Sequence, residues 1–232
     1  MSARTARNIS DDRDFKSGTI TSIGAQKKSQ SRVNISIDGE YAFSVHLDVL
    51  ISEGLHKGQR LSTDEIDNIC LQDDFHLARD LAFHFISYRP RSVFEVKRRL
   101  LKARYNNASI DRVISRLFEL DMLDDESFAL EFAEGRLRNK GYGPRRLSQD
   151  LKRRGVHDSH IEKALNTVYS NVDQAALAAD AGKKIFQRLS RIQEQHIRRK
   201  KLSDYLARRG FAYDHMHLAL EDLESHVRTI NS

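Results

Sequence analysis

The run LSQDLKRRGVHDSHIEKALNTV, Leu147 to Val168, decides how this chain folds. Its apolar residues Leu147, Leu151, Val156, Ile161, Leu165 and Val168 are separated by steps of four, five, five, four and three. Steps of four and three keep side chains on one face of a helix. The two steps of five cross a turn, and Gly155 stands where a helix would stop, since glycine takes a left-handed cap without steric cost. The run therefore reads as helix, tight turn, helix, apolar on the facing sides. The same spacing recurs in Val96, Leu100, Tyr105, Ile110, Ile114 and Leu117, and again in Leu202, Leu206, Phe211, Met216, Leu220 and Leu223. Arg104 and Gly210 hold the turn position in these copies, and Leu100, Leu151 and Leu206 lie about 50 residues apart, a repeat period.

Each pair follows a further amphipathic segment, at 76–88 with Ala78, Ala82 and Phe85, at 125–140 with Phe128, Ala129, Phe132 and Ala133, and at 174–190 with Ala175, Ala178, Ala179 and Ile185. Ser92 and Glu95 have capping-box spacing before one helix, and Asn107 and Asp158 stand as caps before two others. Pro90 and Pro144 fall at expected helix starts, where a missing N–H costs nothing. The reading is a mainly α chain of three tandem three-helix repeats. One unit of this size buries little surface, so neighbours are expected to stack into an elongated, curved array.

The N-terminal part has a different period. Residues 1–17 are polar and expected to be flexible. Ile20 and Ile23 lie in a Thr-rich run, and Val33, Ile35 and Ile37 alternate with polar residues. Asp38-Gly39 then separates them from Ala42–Val45, a two-residue hairpin signal. A small β-hairpin or three-stranded extension is expected, followed by a short helix from His46 to Glu53 stopped by Gly54. Ser62 and Glu65 start the next helix as a capping box. The expected division is 1–17, the β-rich 18–61, a linker helix with the first repeat at 62–124, the second repeat at 125–172 and the third at 173–232.

Of 232 residues, 39% are hydrophobic and 31% charged, and the net charge is +6. Residues 1–75 hold nine Lys and Arg against twelve Asp and Glu, which leaves thirty against twenty-one, net +9, for residues 76–232. A basic region favours a polyanionic partner, nucleic acid or an acidic protein surface. Cys70 is the only cysteine, so neither an internal disulfide nor a thiolate zinc site can form. Met1–Lys16 has no apolar core of a signal peptide, and apolar stretches such as Leu81–Phe83 are far too short to span a bilayer. A cytoplasmic monomer is expected, with no membrane contact.

Enzyme signatures are missing. No phosphate-binding Gly-rich loop ends in Lys-Ser/Thr, and no Ser-His-Asp or Cys-His pattern has recognisable spacing. His215 and His217 are two apart and diverge on a helix. Asp124, Asp125 and Glu126 could be read as a metal site for phosphoryl transfer, but the simpler reading is an N-cap followed by two acids at the positive end of a helix dipole. Tyr88, Tyr142 and Tyr205 are read as half-core, half-solvent residues rather than base-stacking platforms. No catalytic residue, metal or cofactor is expected.

Several segments resemble the RecX family of recombination regulators. Arg89-Pro90-Arg91-Ser92 with Glu95 and Leu100 resembles the family's RPRS-x-x-E-L segment, with Val96 where Leu is common. Leu123-Asp124-Asp125 with Phe128-Ala129 resembles its L-D-D-x-x-F-A signature. Lys140-Gly141 and Leu151–Val156 are similar to its K-G and L-x-x-K-G-I pattern, and Tyr205–Phe211 to its Y-L-x-R-R-G-F ending. Arg104 departs from the usual glycine. The likeness covers about 76–224, and the β segment is read as an extension found in part of the family. The resemblance implies a protein of tandem three-helix units that binds the RecA recombinase, lies in the groove of its filament on single-stranded DNA, and restrains filament growth, strand exchange and co-protease activity. Roles in DNA repair and the SOS response follow from it.

The docking candidates are the basic clusters that recur in the copies: Arg89, Arg91, Lys97, Arg98 and Lys102 in the first, Arg145, Arg146, Lys152 and Arg153 in the second, and Arg199, Lys200, Arg208 and Arg209 in the third. Lys97 and Arg104 cannot lie on the stripe of Val96 and Leu100, so both should face solvent. The rival readings are direct, sequence-independent binding of single- or double-stranded DNA through these charges, and a nuclease centred on Asp124–Glu126.

Overall fold

The computed structural model describes residues 16–26 and 29–230, with the side chains of 226–230 excepted. The segment expected to be loose, 1–17, lies outside the described residues up to residue 15. Two compact units emerge, one of residues up to Pro90 with Val96–Leu123, the other of Arg91–Glu95 with Asp124 onward.

In the first unit, β1 (Gly18–Gln26), β2 (Ser29–Ile37), β3 (Glu40–His46) and β4 (Arg60–Leu61) form an antiparallel sheet in the order β3-β2-β1-β4. The hairpin is as expected: Asp38 and Gly39 take φ of 50° and 92°, the positive pair that a two-residue turn needs. It sets Ile35 opposite Phe43 and Val33 opposite Val45, all buried. Three strands were expected and four are present among the described residues, because β4 is two residues long and too short for any alternation to register. A short helix, α1 (Leu47–Ser52), follows β3 and ends ahead of Gly54, whose φ is 61°.

The next helix, α2 (Thr63–Ser87), starts from the Ser62–Glu65 capping box. Linker and first repeat helix are thus one continuous rod of 25 residues. Its first turns bury Ile66, Ile69 and Cys70 against the sheet. Asp73 there accepts two bonds from the Arg32 guanidinium, at 2.6 and 3.1 Å, and one from the His46 N–H at 2.7 Å. Its later turns bury Ala78 and Ala82 and pack on α4 (Asn107–Glu119), which follows α3 (Val93–Lys102). Pro90 does not start a helix, since α3 begins three residues later at Val93 under the Ser92 hydroxyl, which accepts from the Glu95 N–H at 3.1 Å.

The second unit holds α5 (Asp125–Lys140), α6 (Pro144–Lys152), α7 (Asp158–Tyr169), α8 (Gln174–Leu189), α9 (Gln195–Arg209) and α10 (Tyr213–Ile230). Pro144 is the first residue of α6, as expected. The caps of α4 and α7 are Asn106 and His157, one residue before Asn107 and Asp158, which are the first helical residues instead. An N-cap keeps extended φ/ψ, and the steps of five leave room for that only directly after the turn.

Sixteen of the eighteen matched apolar residues are buried, and Leu165 and Val168 are half-buried against the same cores. Val113, Ala164 and Ala219 form a seventh matched and buried position that the six-residue pattern omits. The turns are superposable. Arg104, Gly155 and Gly210 have φ of 65°, 71° and 93°. The amides of Tyr105, Val156 and Phe211 each donate to the carbonyl five residues back, on Leu100, Leu151 and Leu206, at 3.3 Å in all three. These bonds satisfy helix-end carbonyls and press each Leu against the side chain beyond the turn.

Neighbouring helices in the second unit meet end to end. Gly143 and Arg145 at the start of α6 donate their N–H groups to the carbonyls of Arg209 (2.8 Å) and Gly210 (3.1 Å) at the end of α9. Ser92 ahead of α3 donates its hydroxyl to the Arg154 carbonyl at 2.6 Å, and Phe94 lies on Gly155. A Cβ on Gly210 would collide with the Arg146 backbone, and one on Gly155 with Phe94.

Arg104 occupies a conformation that costs a non-glycine residue about 1 kcal/mol. Arg104→Gly is therefore expected to stabilise the protein by about 0.5–1 kcal/mol in urea denaturation. Gly210→Ala should cost at least about 2 kcal/mol, from left-handed strain plus the clash with backbone.

Candidate docking surface

The superposed turns put one cationic position in the same place three times. Lys102, Arg153 and Arg208 each stand two residues before the left-handed residue, and all three are exposed. Among the described residues Lys102, Arg145, Lys200 and Arg208 are exposed and make no ion pair.

The other candidates divide by what they touch. Arg153 pairs with Asp150, Lys97 with Asp111 at 2.9 Å, Lys152 with Asp158 at 2.8 Å and Arg199 with Glu224 at 3.5 Å. Lys97 is half-buried rather than fully solvent-facing, because its ammonium reaches across to α4, whereas Arg104 is exposed. Arg89 and Arg98 are exposed and Arg91 is half-buried.

Arg146 and Arg209 turn inward. Arg146 bonds Asp150 at 3.3 Å and lies over the Tyr142 ring. Arg209 donates to the carbonyls of Lys140 and Gly141 at the end of α5 and to the Tyr205 hydroxyl at 3.0 Å, between the Tyr142 and Tyr205 rings. Its counterpart in the second repeat, Arg154, lies over Phe132 at 4.6 Å. Arg154 and Arg209 are thus internal clamps. Their signal in the sequence is that both directly precede the turn glycine. Tyr142 and Tyr205 are covered by these guanidiniums, and Tyr88 stacks edge-on with His84.

A shallow concavity of about 300 Å³ between α9 and α10 is lined by Arg199, Lys200, Ser203, Tyr213, Met216, His217 and Leu220. Tyr213, 68% exposed, went unnoticed in the sequence. It stands where the other repeats have Asn107 and Asp158, and an aromatic ring at that hydrophilic position was the available signal.

The acidic cluster is structural. Asp124 caps α5, accepting from the Glu126 N–H at 2.8 Å and the Ser127 hydroxyl at 2.5 Å, and the Ser127 bond holds its pKa below the ordinary value. Glu126 pairs with Lys163, whose hydrogen bond lowers its pKa likewise. Asp125 reaches away and accepts from the Val93 N–H at 2.9 Å, so it caps α3. Burial raises its pKa. The three carboxylates serve three different partners and, among the described residues, make no group able to hold a metal.

Asp125→Ala is expected to cost about 1 kcal/mol by baring the Val93 N–H. Asp125→Asn keeps an acceptor and loses the charge. With the folded-state pKa raised, the native protein binds the proton more readily than the unfolded chain, so stability gained at Asp125 is present at low pH and lost as pH rises through that raised range. Wild type should therefore gain on Asp125→Asn as pH falls through the carboxylate range, read from paired urea melts.

Comparison with known proteins agrees with this architecture along most of the chain. The family model of the regulatory protein RecX N-terminal domain matches residues 18–62, so the β unit is itself a family element. The models of the first, second and third RecX three-helix domains match 78–117, 124–165 and 172–220. The regulatory protein RecX of Bacillus licheniformis is 34% identical over 207 residues, covering 88% of this chain and 77% of that one. That of Bacillus subtilis is 33% identical over 205 residues with the same coverage, and that of Clostridium acetobutylicum 29% over 213 residues, 91% and 99%. A crystal structure of regulatory protein RecX superposes with a TM-score of 0.68 at 28% identity, covering 89% of this chain and 98% of the other. The fold is shared as well with RecX from Lactobacillus salivarius, TM-score 0.59, over 66% of this chain and 98% of that one. An N-terminal domain followed along the chain by three helical repeats, each matched in order, places this chain in the RecX family of regulatory proteins.

Proposed function

We propose that this chain is a non-catalytic, stoichiometric regulator that docks on the RecA–single-stranded-DNA filament and restrains its growth, strand exchange and co-protease activity. The observation that carries this reading is the recurrence of one exposed cation, Lys102, Arg153 and Arg208, at an identical turn in three repeats. Charge that merely solvates a helix has no reason to recur at one position. A filament offers a repeated partner of acidic protein surface and phosphates, and matched potentials steer such encounters. Arg145 and Lys200, exposed and without an ion pair, add free cations to the second unit. Arg209 supports it indirectly by tying the turn of the third repeat to the end of α5. No helix among the described residues is long and apolar enough to cross a membrane. The proposed setting is cytoplasmic, in DNA repair and the SOS response.

Direct binding to DNA is a second reading, and the groove of Arg199, Lys200 and Tyr213 favours it, since an exposed ring beside cations suits an unpaired nucleotide. One experiment separates the two. Binding is measured by fluorescence anisotropy to bare single-stranded DNA, bare double-stranded DNA, RecA alone and the assembled filament. Preference for the filament is expected; equal affinity for naked DNA would select the second reading. The triple charge reversal Lys102→Glu, Arg153→Glu and Arg208→Glu should weaken filament binding by about tenfold or more with the thermal midpoint nearly unchanged. Filament binding as tight as wild type would refute the turn-cation surface.

A further inference from the structure

We propose that His46, Asp48 and His76 form a binding site for a borderline divalent transition ion of the Zn²⁺ or Ni²⁺ class, at the junction of β3, α1 and α2. The three ligand atoms lie within 4.8 Å of one another. His46 caps α1, and its Nδ1 accepts the Asp48 N–H at 3.1 Å. That nitrogen therefore carries a lone pair and no proton. Yet Asp48 Oδ2 lies 3.3 Å from it, and 3.7 Å from Nδ1 of His76. His76 Nδ1 is buried and has no hydrogen-bond partner. The two imidazoles stack at 4.5 Å with their planes 10° apart. His46 Nδ1 already accepts the Asp48 N–H, and with the His76 proton on Nε2 the Asp48 carboxylate and His76 Nδ1 face it as two further acceptors, an arrangement that a bound cation stabilises.

The donor set selects the ion. Two imidazoles and one carboxylate suit Zn²⁺, Ni²⁺ or Co²⁺, whereas Mg²⁺ and Ca²⁺ take all-oxygen shells. A tetrahedral ion with bonds of about 2.0–2.1 Å holds its ligands about 3.3 Å apart, close to the carboxylate–imidazole separations here. The Asp48 side chain is 62% exposed, which leaves an entry path and room for water in the remaining position. Asp73, bonded to the His46 N–H at 2.7 Å and to Arg32, fixes the backbone that carries one ligand. Coordination has a cost: it takes the lone pair that caps α1, and one ring must turn out of the stack.

The test uses tag-free, full-length protein stripped with chelator and titrated with Zn²⁺ by calorimetry, with Co²⁺ absorption as a report of nitrogen ligation. One saturable ion per chain is expected, with a raised thermal midpoint. His76→Ala and Asp48→Ala should each weaken binding by about tenfold or more, at least the loss that accompanies removal of an outer-shell partner. Asp48→Ala leaves the His46 cap acceptor in place and decides the matter if His76→Ala does not fold. Absence of saturable binding overturns the proposal, as does unchanged affinity in Asp48→Ala, which would locate the ion on histidines elsewhere, such as His157 and His160.

Discussion

The architecture depends on one closed turn, made three times. A left-handed residue lets the next amide reach back to a leucine carbonyl, and that bond fixes where the chain re-enters a helix. The leucine and the residue beyond the turn then share one buried spot, so hydrogen bonding and apolar burial enforce the same geometry. Neither alone would suffice. An unbonded helix end under a hydrophobic seam would bury open carbonyls, and a capped turn without the seam would fray. Because the turn is the same each time, whatever lies just before it is also displayed the same way.

That display is selective. Of the two positions ahead of each turn, the outer one carries Lys102, Arg153 or Arg208, and the inner one Ala103, Arg154 or Arg209. In the second unit the inner arginines fold over aromatic rings and, at Arg209, onto helix-end carbonyls. Their charge is spent inside the protein. At Arg208 and Arg209 adjacent arginines thus serve opposite purposes, one facing outward and the other joining the third repeat to the second.

Much of this was legible in the sequence, because periodicity and turn chemistry are local. The spacing located the helix pairs, Asp38-Gly39 located the hairpin, and Asp124 announced a cap. What escaped depends on distant partners. Nothing near Asp125 says that its carboxylate serves Val93, thirty-two residues away. Arg209 looked like its neighbour Arg208 until Lys140 and Gly141 arrived beside it. The fourth strand has only two residues, too few to alternate. The caps at Asn106 and His157 were off by one because the turn's end, not the side chain's chemistry, sets the cap position.

The junction at Gly143 and Gly210 has a further consequence. There, main chain meets main chain, and no side chain lies between to absorb a displacement. A shift at the end of α9 is passed undamped to the beginning of α6. The second and third repeats should therefore open to solvent together, exchanging their amide hydrogens as one cooperative block rather than as two independent modules. In the docking proposed above, such stiffness means that whatever grips the second repeat also positions the third.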